Sequence, residues 1–197
     1  MKFDVIVIGG GIAGVTVAEN LQSSGFDCAL ISEGHSIHNV DYRGFIKARG
    51  VYLNSDRVVE SFIENDRVIY VRSENLPDEQ LRAEYFVLAT GKFFGRGIMT
   101  DMDKVYEPVF GLDVQYLEDR GTWFDSNFAA HQPFLDFGVK VDAKHHPFID
   151  SKPVENLFAV GEVVEGCTLA EKDDARAIEA AAFEVTKLII EERDARK

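Results

Sequence analysis

The opening of the chain, Phe3-Asp4-Val5-Ile6-Val7-Ile8 followed by Gly9-Gly10-Gly11-Ile12-Ala13-Gly14, constrains the fold more than any other stretch. A β-branched apolar run that ends in glycines reads as a strand buried on both faces of a parallel sheet. From Ile12 onward, Ile12, Val15, Ala18 or Glu19 and Leu21 fall at helical spacing, and the pattern stops at Gly25, a C-terminal cap. A second strand, Asp27 to Ser32, follows at once. Strand, glycine turn, helix and strand within about 30 residues make a βαβ unit with a right-handed crossover.

The glycines fit G-x-G-x-x-G, and each has a mechanical task. Gly9 permits the tight turn, Gly11 lets the backbone approach a pyrophosphate, and Gly14 allows the helix to press on the strand. Ile12 and Ala13 open the helix, whose free N–H groups and partial positive charge favour phosphate. Ser32 ends the second strand, and the next residue, Glu33, can accept hydrogen bonds from a ribose diol. The order of these elements points to nucleotide binding; the competing reading is a glycine-rich turn beside an unrelated surface glutamate.

The next part changes character. Val51–Leu53, Arg57–Phe62, Arg67–Arg72 and Glu84–Ala89 are short β-rich runs, with a turn at Asn65-Asp66 and a loop at Leu76-Pro77-Asp78. They predict an antiparallel meander inserted before the sheet resumes through Tyr85 to Gly91. Residues 92–150 carry many aromatics and weak periodicity, which predicts a loop-rich insertion within one domain spanning 1–197. Val154 to Val160 is the last strand candidate. A final helix places Ile178, Ala182, Val185 and Ile189 on one face, with Thr168-x-x-Glu171 as a capping box. The fold class is α/β, a Rossmann-like domain with a central parallel sheet and a β-meander crossover.

A net charge of −13 repels phosphate backbones and anionic lipid, so nucleic acid is not an expected partner. No apolar run reaches the roughly 20 residues that span a bilayer, and Met1–Gly14 lacks the basic start and cleavage site of a signal peptide. Cys28 and Cys167 stand singly, without zinc-type spacing, which fits a reducing cytoplasm and no metal.

The meander followed by Ala89-Thr90-Gly91 resembles the FAD-binding domain of two-dinucleotide-binding flavoproteins rather than a doubly wound NAD domain. The resemblance implies FAD, with Ala89, Thr90 and Gly91 near it. It sets Gly161 and Glu162 where such proteins carry the Gly-Asp whose aspartate holds the ribityl chain. It sets Val59 where they contact adenine through the backbone, although an ordinary core valine explains that residue equally well.

Four segments sharpen the likeness: Lys92 to Gly97 (KFFGRG), Glu107 to Asp113 (EPVFGLD), Gln132 to Val139 (QPFLDFGV) and Asn156 to Gly161 (NLFAVG). They resemble the family of B subunits of anaerobic glycerol-3-phosphate dehydrogenase, longer flavoproteins that act beside a catalytic subunit and an iron–sulfur subunit at the membrane. Two departures stand out. Only Gly34 to Val51 fills the place of a large family segment that would cap the flavin or substrate. After Gly161, Glu171-Lys172-Asp173-Asp174-Ala175-Arg176 replaces a glycine-rich turn, and its carboxylates compete with the flavin for the helix dipole and for space.

Other residues are less specific. His35 and His38 fit a solvated loop, and the adjacent pair His145-His146 has few neighbours with which to hold a metal. Trp123, beside Phe124 and Phe128, reads as a packing anchor, with a partner surface as the alternative. Cys167 could be a redox thiol near flavin, but no second cysteine lies near it in sequence. No residue is assigned as general acid or base.

The expected function is an FAD-dependent oxidoreductase or flavoprotein subunit, passing electrons between flavin and a small-molecule substrate or redox partner. One alternative is a non-catalytic nucleotide-binding or interaction subunit that has lost the flavin site. Another is an NAD dehydrogenase using Glu33, against which the meander counts.

Overall fold

Strand β1 (Lys2–Ile8) divides its apolar side chains between two cores, Phe3, Ile6 and Ile8 joining one cluster and Val5 and Val7 the other, with Ile6 and Ile8 facing away from Val5 and Val7. This is the burial on both faces that an uninterrupted apolar run requires. A computed structural model describes residues 1–34, 44–45, 50–167 and 174–196.

Helix α1 (Ile12–Ser23) ends where Gly25 takes a left-handed φ of 83°. The Gly25 N–H donates to the Gln22 carbonyl at 3.1 Å and the Phe26 N–H to the Leu21 carbonyl at 3.1 Å. This double bond pattern is a Schellman cap, which needs a residue free to adopt positive φ. The chain then enters β2 (Cys28–Ser32), which lies parallel to β1 with Cys28 opposite Val5.

The first run expected in the meander belongs elsewhere. β3 (Val51–Asn54) is a parallel edge strand, with Val51 opposite Ala29 of β2. The meander is β4 (Val58–Glu64), β5 (Arg67–Ser73) and β6 (Leu76–Leu88), paired antiparallel in that order. Asn65 and Asp66, with φ of 53° and 58°, form the tight turn between β4 and β5. The expected loop at Leu76-Pro77-Asp78 is instead the start of β6, because Ser73 pairs with Leu76 and leaves Glu74 and Asn75 as the turn. Proline is tolerated at the start of a strand, where a missing ladder donor does little harm.

The second half of β6 runs parallel between β1 and β13 (Leu157–Ala159), with Leu88 opposite both Ile8 and Ala159. The sheet order is β3-β2-β1-β6-β5-β4, with β13 on the free side of β6. β13 is held by Asn156, which is 2% exposed. Its side chain accepts from the Val68 N–H at 2.8 Å and donates to the carbonyls of Val68 at 2.9 Å and Glu84 at 3.2 Å.

Residues 92–150 form two-residue ladders. β7 (Met99–Thr100) pairs with β8 (Val105–Tyr106), β9 (Val114–Gln115) with β10 (Gly138–Val139), and β11 (Phe148–Ile149) with β12 (Lys152–Pro153). Trp123 anchors this region edge-on against Tyr116 and Phe137, and its indole N–H donates to the Leu117 carbonyl at 2.6 Å. Phe124 and Phe128 are exposed.

Helix α2 (Asp174–Ala195) buries Ile178, Ala182, Val185 and Ile189 against the same core as α1. His35, His38, the Thr168–Glu171 capping box and residues 171–173 of the acidic turn lie outside the described residues. Among the described residues, no helix is long and apolar enough to cross a membrane.

Candidate dinucleotide site

The carboxyl ends of β1, β2, β6 and β13 meet the start of α1 around a cleft of about 500 Å³, within the ~300–1,000 Å³ usual for small-molecule sites. Its position outside the ends of parallel strands follows the rule for open α/β sheets.

Gly9 closes the β1–α1 turn with φ of 108°, and a Cβ there would run into the Ala89 carbonyl while standing 2.7 Å from the Thr90 nitrogen. A Cβ on Gly14 would collide with the Gly9 carbonyl oxygen. Gly14 is therefore a packing position beneath the turn and does not line the cleft. Gly11 differs from both. Its φ is −77°, and a Cβ there would meet nothing within 4 Å. The space is left open on the cleft side, where a bound phosphate would need it.

Gly11 caps α1 without a side-chain hydrogen bond, and the first turn carries no acid. The amides of Ile12 and Ala13 and the positive end of the helix are thus left to a ligand. One β-element later, Ser32 accepts from the Gly34 N–H at 3.1 Å, shaping the turn that carries Glu33 into the cleft wall. Val59 is 49% exposed and lines the cleft, so it is not the core valine that was the alternative. Ala89, Thr90 and Gly91 line the cleft as well, as do Gly161 and Glu162. Gly161 has φ of 81°, and a Cβ there would stand 2.9 Å from that of Ala13. The buried Thr90 hydroxyl has no hydrogen-bond partner among the described residues.

The same cleft contains residues the sequence did not single out as ligands. Gly10, Asp56, Arg57, Lys92 and Arg96 line it. Asp56 is 3% exposed and accepts from the backbone N–H groups of Arg57 at 2.9 Å and Asn75 at 3.1 Å, which fixes the entry to β4. Lys92 donates to the Leu135 carbonyl. Burial holds its ammonium below the usual lysine range, against the opposing pull of Cys167, Glu162 and Asp136. Position alone could have flagged Lys92, directly after the Ala-Thr-Gly turn. Arg57 and Arg96 sit in loops and strand entries without periodicity.

Glu107 holds a segment of the cleft lining from behind. Its buried carboxylate accepts from the N–H groups of Val109 at 2.9 Å, Phe110 at 2.7 Å and Gly111 at 3.0 Å, fixing the Pro108-Val109 segment that lines the cleft. His145 and His146 lie away from the cleft. His146 is buried against the Phe158 ring at 4.6 Å, with Nδ1 3.5 Å from Asp142 and Nε2 3.8 Å from Glu192.

The residues present fit an adenine dinucleotide: an open Gly11, an uncapped helix start and a carboxylate at the end of β2. Fold and cleft together define a flavoprotein-type dinucleotide-binding α/β domain. The chain belongs to the FAD binding domain family, which it matches over residues 4–40 and 37–172.

It is similar to the B subunit of anaerobic glycerol-3-phosphate dehydrogenase from Pectobacterium atrosepticum, with 39% identity over 133 residues, 68% of this chain and 31% of that protein. The corresponding B subunit of Vibrio cholerae is 36% identical over 135 residues, again 68% and 31% of the two chains. The chain thus spans about a third of the length of these curated relatives. Among solved structures, a thioredoxin reductase from Gloeobacter violaceus superposes with a TM-score of 0.61 at 14% identity, covering 100% of this chain and 96% of that one. The GidA-related protein from Thermus thermophilus does so with 0.55 at 15%, covering 96% and 99%. At these identities the likeness concerns the fold alone.

Proposed function

We propose that the chain is a single FAD-binding domain of an oxidoreductase, similar to the B subunit of anaerobic glycerol-3-phosphate dehydrogenase, that passes electrons between flavin and a small substrate or a partner protein. The observation that carries the reading is Gly11, held at the start of an uncapped helix and facing the open cleft. Gly9, Gly11, Ile12 and Ala13 bind the diphosphate, Ser32 and Glu33 the adenosine ribose, and Val59 the adenine. Ala89, Thr90 and Gly91 wall the dinucleotide in, and Gly161 and Glu162 receive the ribityl end, with Gly14 packing beneath.

Bound flavin supplies the electron storage that the protein's own side chains lack. The protein orients it: the glycine turn fixes the diphosphate, and Glu33 fixes the ribose. The name of the relatives suggests a glycerol phosphate as substrate and a neighbouring subunit as electron partner. The thiols Cys28 and Cys167 suit a reducing cytoplasm.

Anaerobic spectroscopy of the FAD-loaded chain tests the reading. Reversible bleaching by dithionite and air, at a midpoint potential displaced from that of free FAD, supports it. Bound FAD with the potential of the free molecule overturns it in favour of a non-catalytic nucleotide-binding subunit. Bleaching by glycerol 3-phosphate alone would name the donor; bleaching only with a partner present would assign that role to the partner.

A further inference from the structure

Three cations among the described residues line the cleft: Arg57, Lys92 and Arg96. Two are committed elsewhere. Arg57 is held by Glu74, with nitrogen–oxygen distances of 3.1 and 3.2 Å, and Lys92 is buried with its ammonium donating to the Leu135 carbonyl. Arg96 is different, because among the described residues its guanidinium approaches only the Glu33 carboxylate, and that at 3.9 Å, beyond hydrogen-bond distance.

The backbone presents Arg96 deliberately. Arg96 has φ of 56°, a left-handed conformation that side-chain-bearing residues seldom adopt. It stands between two glycines packed so closely that a Cβ on Gly95 would collide with the Thr90 carbonyl and one on Gly97 with the Gly91 carbonyl. The loop is pinned again by the Gly97 N–H, which donates to the Lys92 carbonyl at 2.9 Å. A strained residue held by such contacts on a cleft wall marks a place where position matters.

The charge balance gives it a task. Glu33, Asp56 and Glu162 line the same cleft in a chain of net charge −13. A diphosphate entering that field needs more positive charge than the amides of one helix start supply. Glu33, for its part, must shed a cation to offer both oxygens to a ribose.

We infer that Arg96 is a diphosphate-binding residue that exchanges partners on loading: its guanidinium leaves Glu33 for the phosphate oxygens of the dinucleotide, and the freed Glu33 carboxylate accepts from the ribose. The inference rests on the FAD-binding reading above and adds to it a cation outside the glycine fingerprint.

Calorimetric titration of the full chain with FAD at low and high salt tests it. Arg96→Ala should weaken FAD binding by roughly tenfold or more, the worth of a charge-assisted hydrogen bond, and should flatten the salt dependence. Arg96→Lys should recover part of the affinity. Arg96→Gly, which suits the left-handed backbone, should bind FAD as weakly as Arg96→Ala while melting no lower than the parent, so that lost affinity is not lost fold. Unchanged affinity in Arg96→Ala and Arg96→Gly overturns the inference. So does tighter binding, which would make the contact with Glu33 a strap across an otherwise complete site. A parent chain that binds no FAD is a separate result and strikes the functional reading itself.

Discussion

Gly9 and Ala89 stand so close that neither has room to retreat: a Cβ on Gly9 would run into the Ala89 carbonyl, while the Ala89 N–H donates to the Ile8 carbonyl at 2.7 Å. The first turn of the chain is thus built on the end of β6, some eighty residues later in sequence. Glycines of one motif therefore do different work, and substitutions separate them.

Gly9→Ala meets both a backbone clash and a positive φ, so it should destabilise the fold by about 2 kcal/mol or more. Gly11→Val meets neither, and its structural cost should stay below about 1 kcal/mol. Its side chain instead enters the cleft and should lower FAD affinity at least about a hundredfold. Denaturant melts and calorimetry on both variants check the contrast. A Gly11→Val chain that binds FAD normally would remove Gly11 from the site.

Asn156 joins β13 to β5 and β6 through three hydrogen bonds to main chain. Asn156→Leu leaves the buried N–H and carbonyl of Val68 without that partner, and should cost about 2–4 kcal/mol. Urea titration should show a lower midpoint with an unchanged slope.

Glu107 gives a pH signature. Burial raises its carboxyl above the ordinary value of 4.5, and hydrogen bonds from the backbone of residues 109–112 pull the other way without reversing it. The folded state then binds this proton more tightly than the unfolded state does. Its contribution to stability is full below about 4.5 and declines as pH rises through the raised folded value. Glu107→Gln lacks that titration. The stability of the parent chain measured against the variant should fall as pH rises above the ordinary carboxyl value of 4.5. A difference independent of pH would contradict the burial argument.

Much of this was legible in the sequence where neighbours in the chain determine the structure. β1, α1 and Glu33 could be read because strand, glycine turn and helix succeed one another locally, and the face shared by Ile178, Ala182, Val185 and Ile189 is a periodic signal. The run Val51–Leu53 reads as part of the meander but belongs to the parallel edge strand, because its partner is β2, a pairing that no local pattern encodes. Pro77 looked like a loop because its composition does, while the pairing of Ser73 with Leu76 fixes the turn one step earlier. Lys92 and Arg96 escaped notice as ligands because loop packing places them. The visible trace was two glycines flanking Arg96, whose crowding against Thr90 and Gly91 only the folded chain reveals.

The most direct test is FAD uptake. The purified chain is incubated with excess FAD, passed through a desalting column and scanned in the visible range, with Gly11→Val alongside. One FAD per chain in the parent, and none in the variant although its melt falls by no more than a few degrees, is the predicted result. A colourless parent chain, or equal FAD in both, would contradict the placement of the dinucleotide against the start of α1.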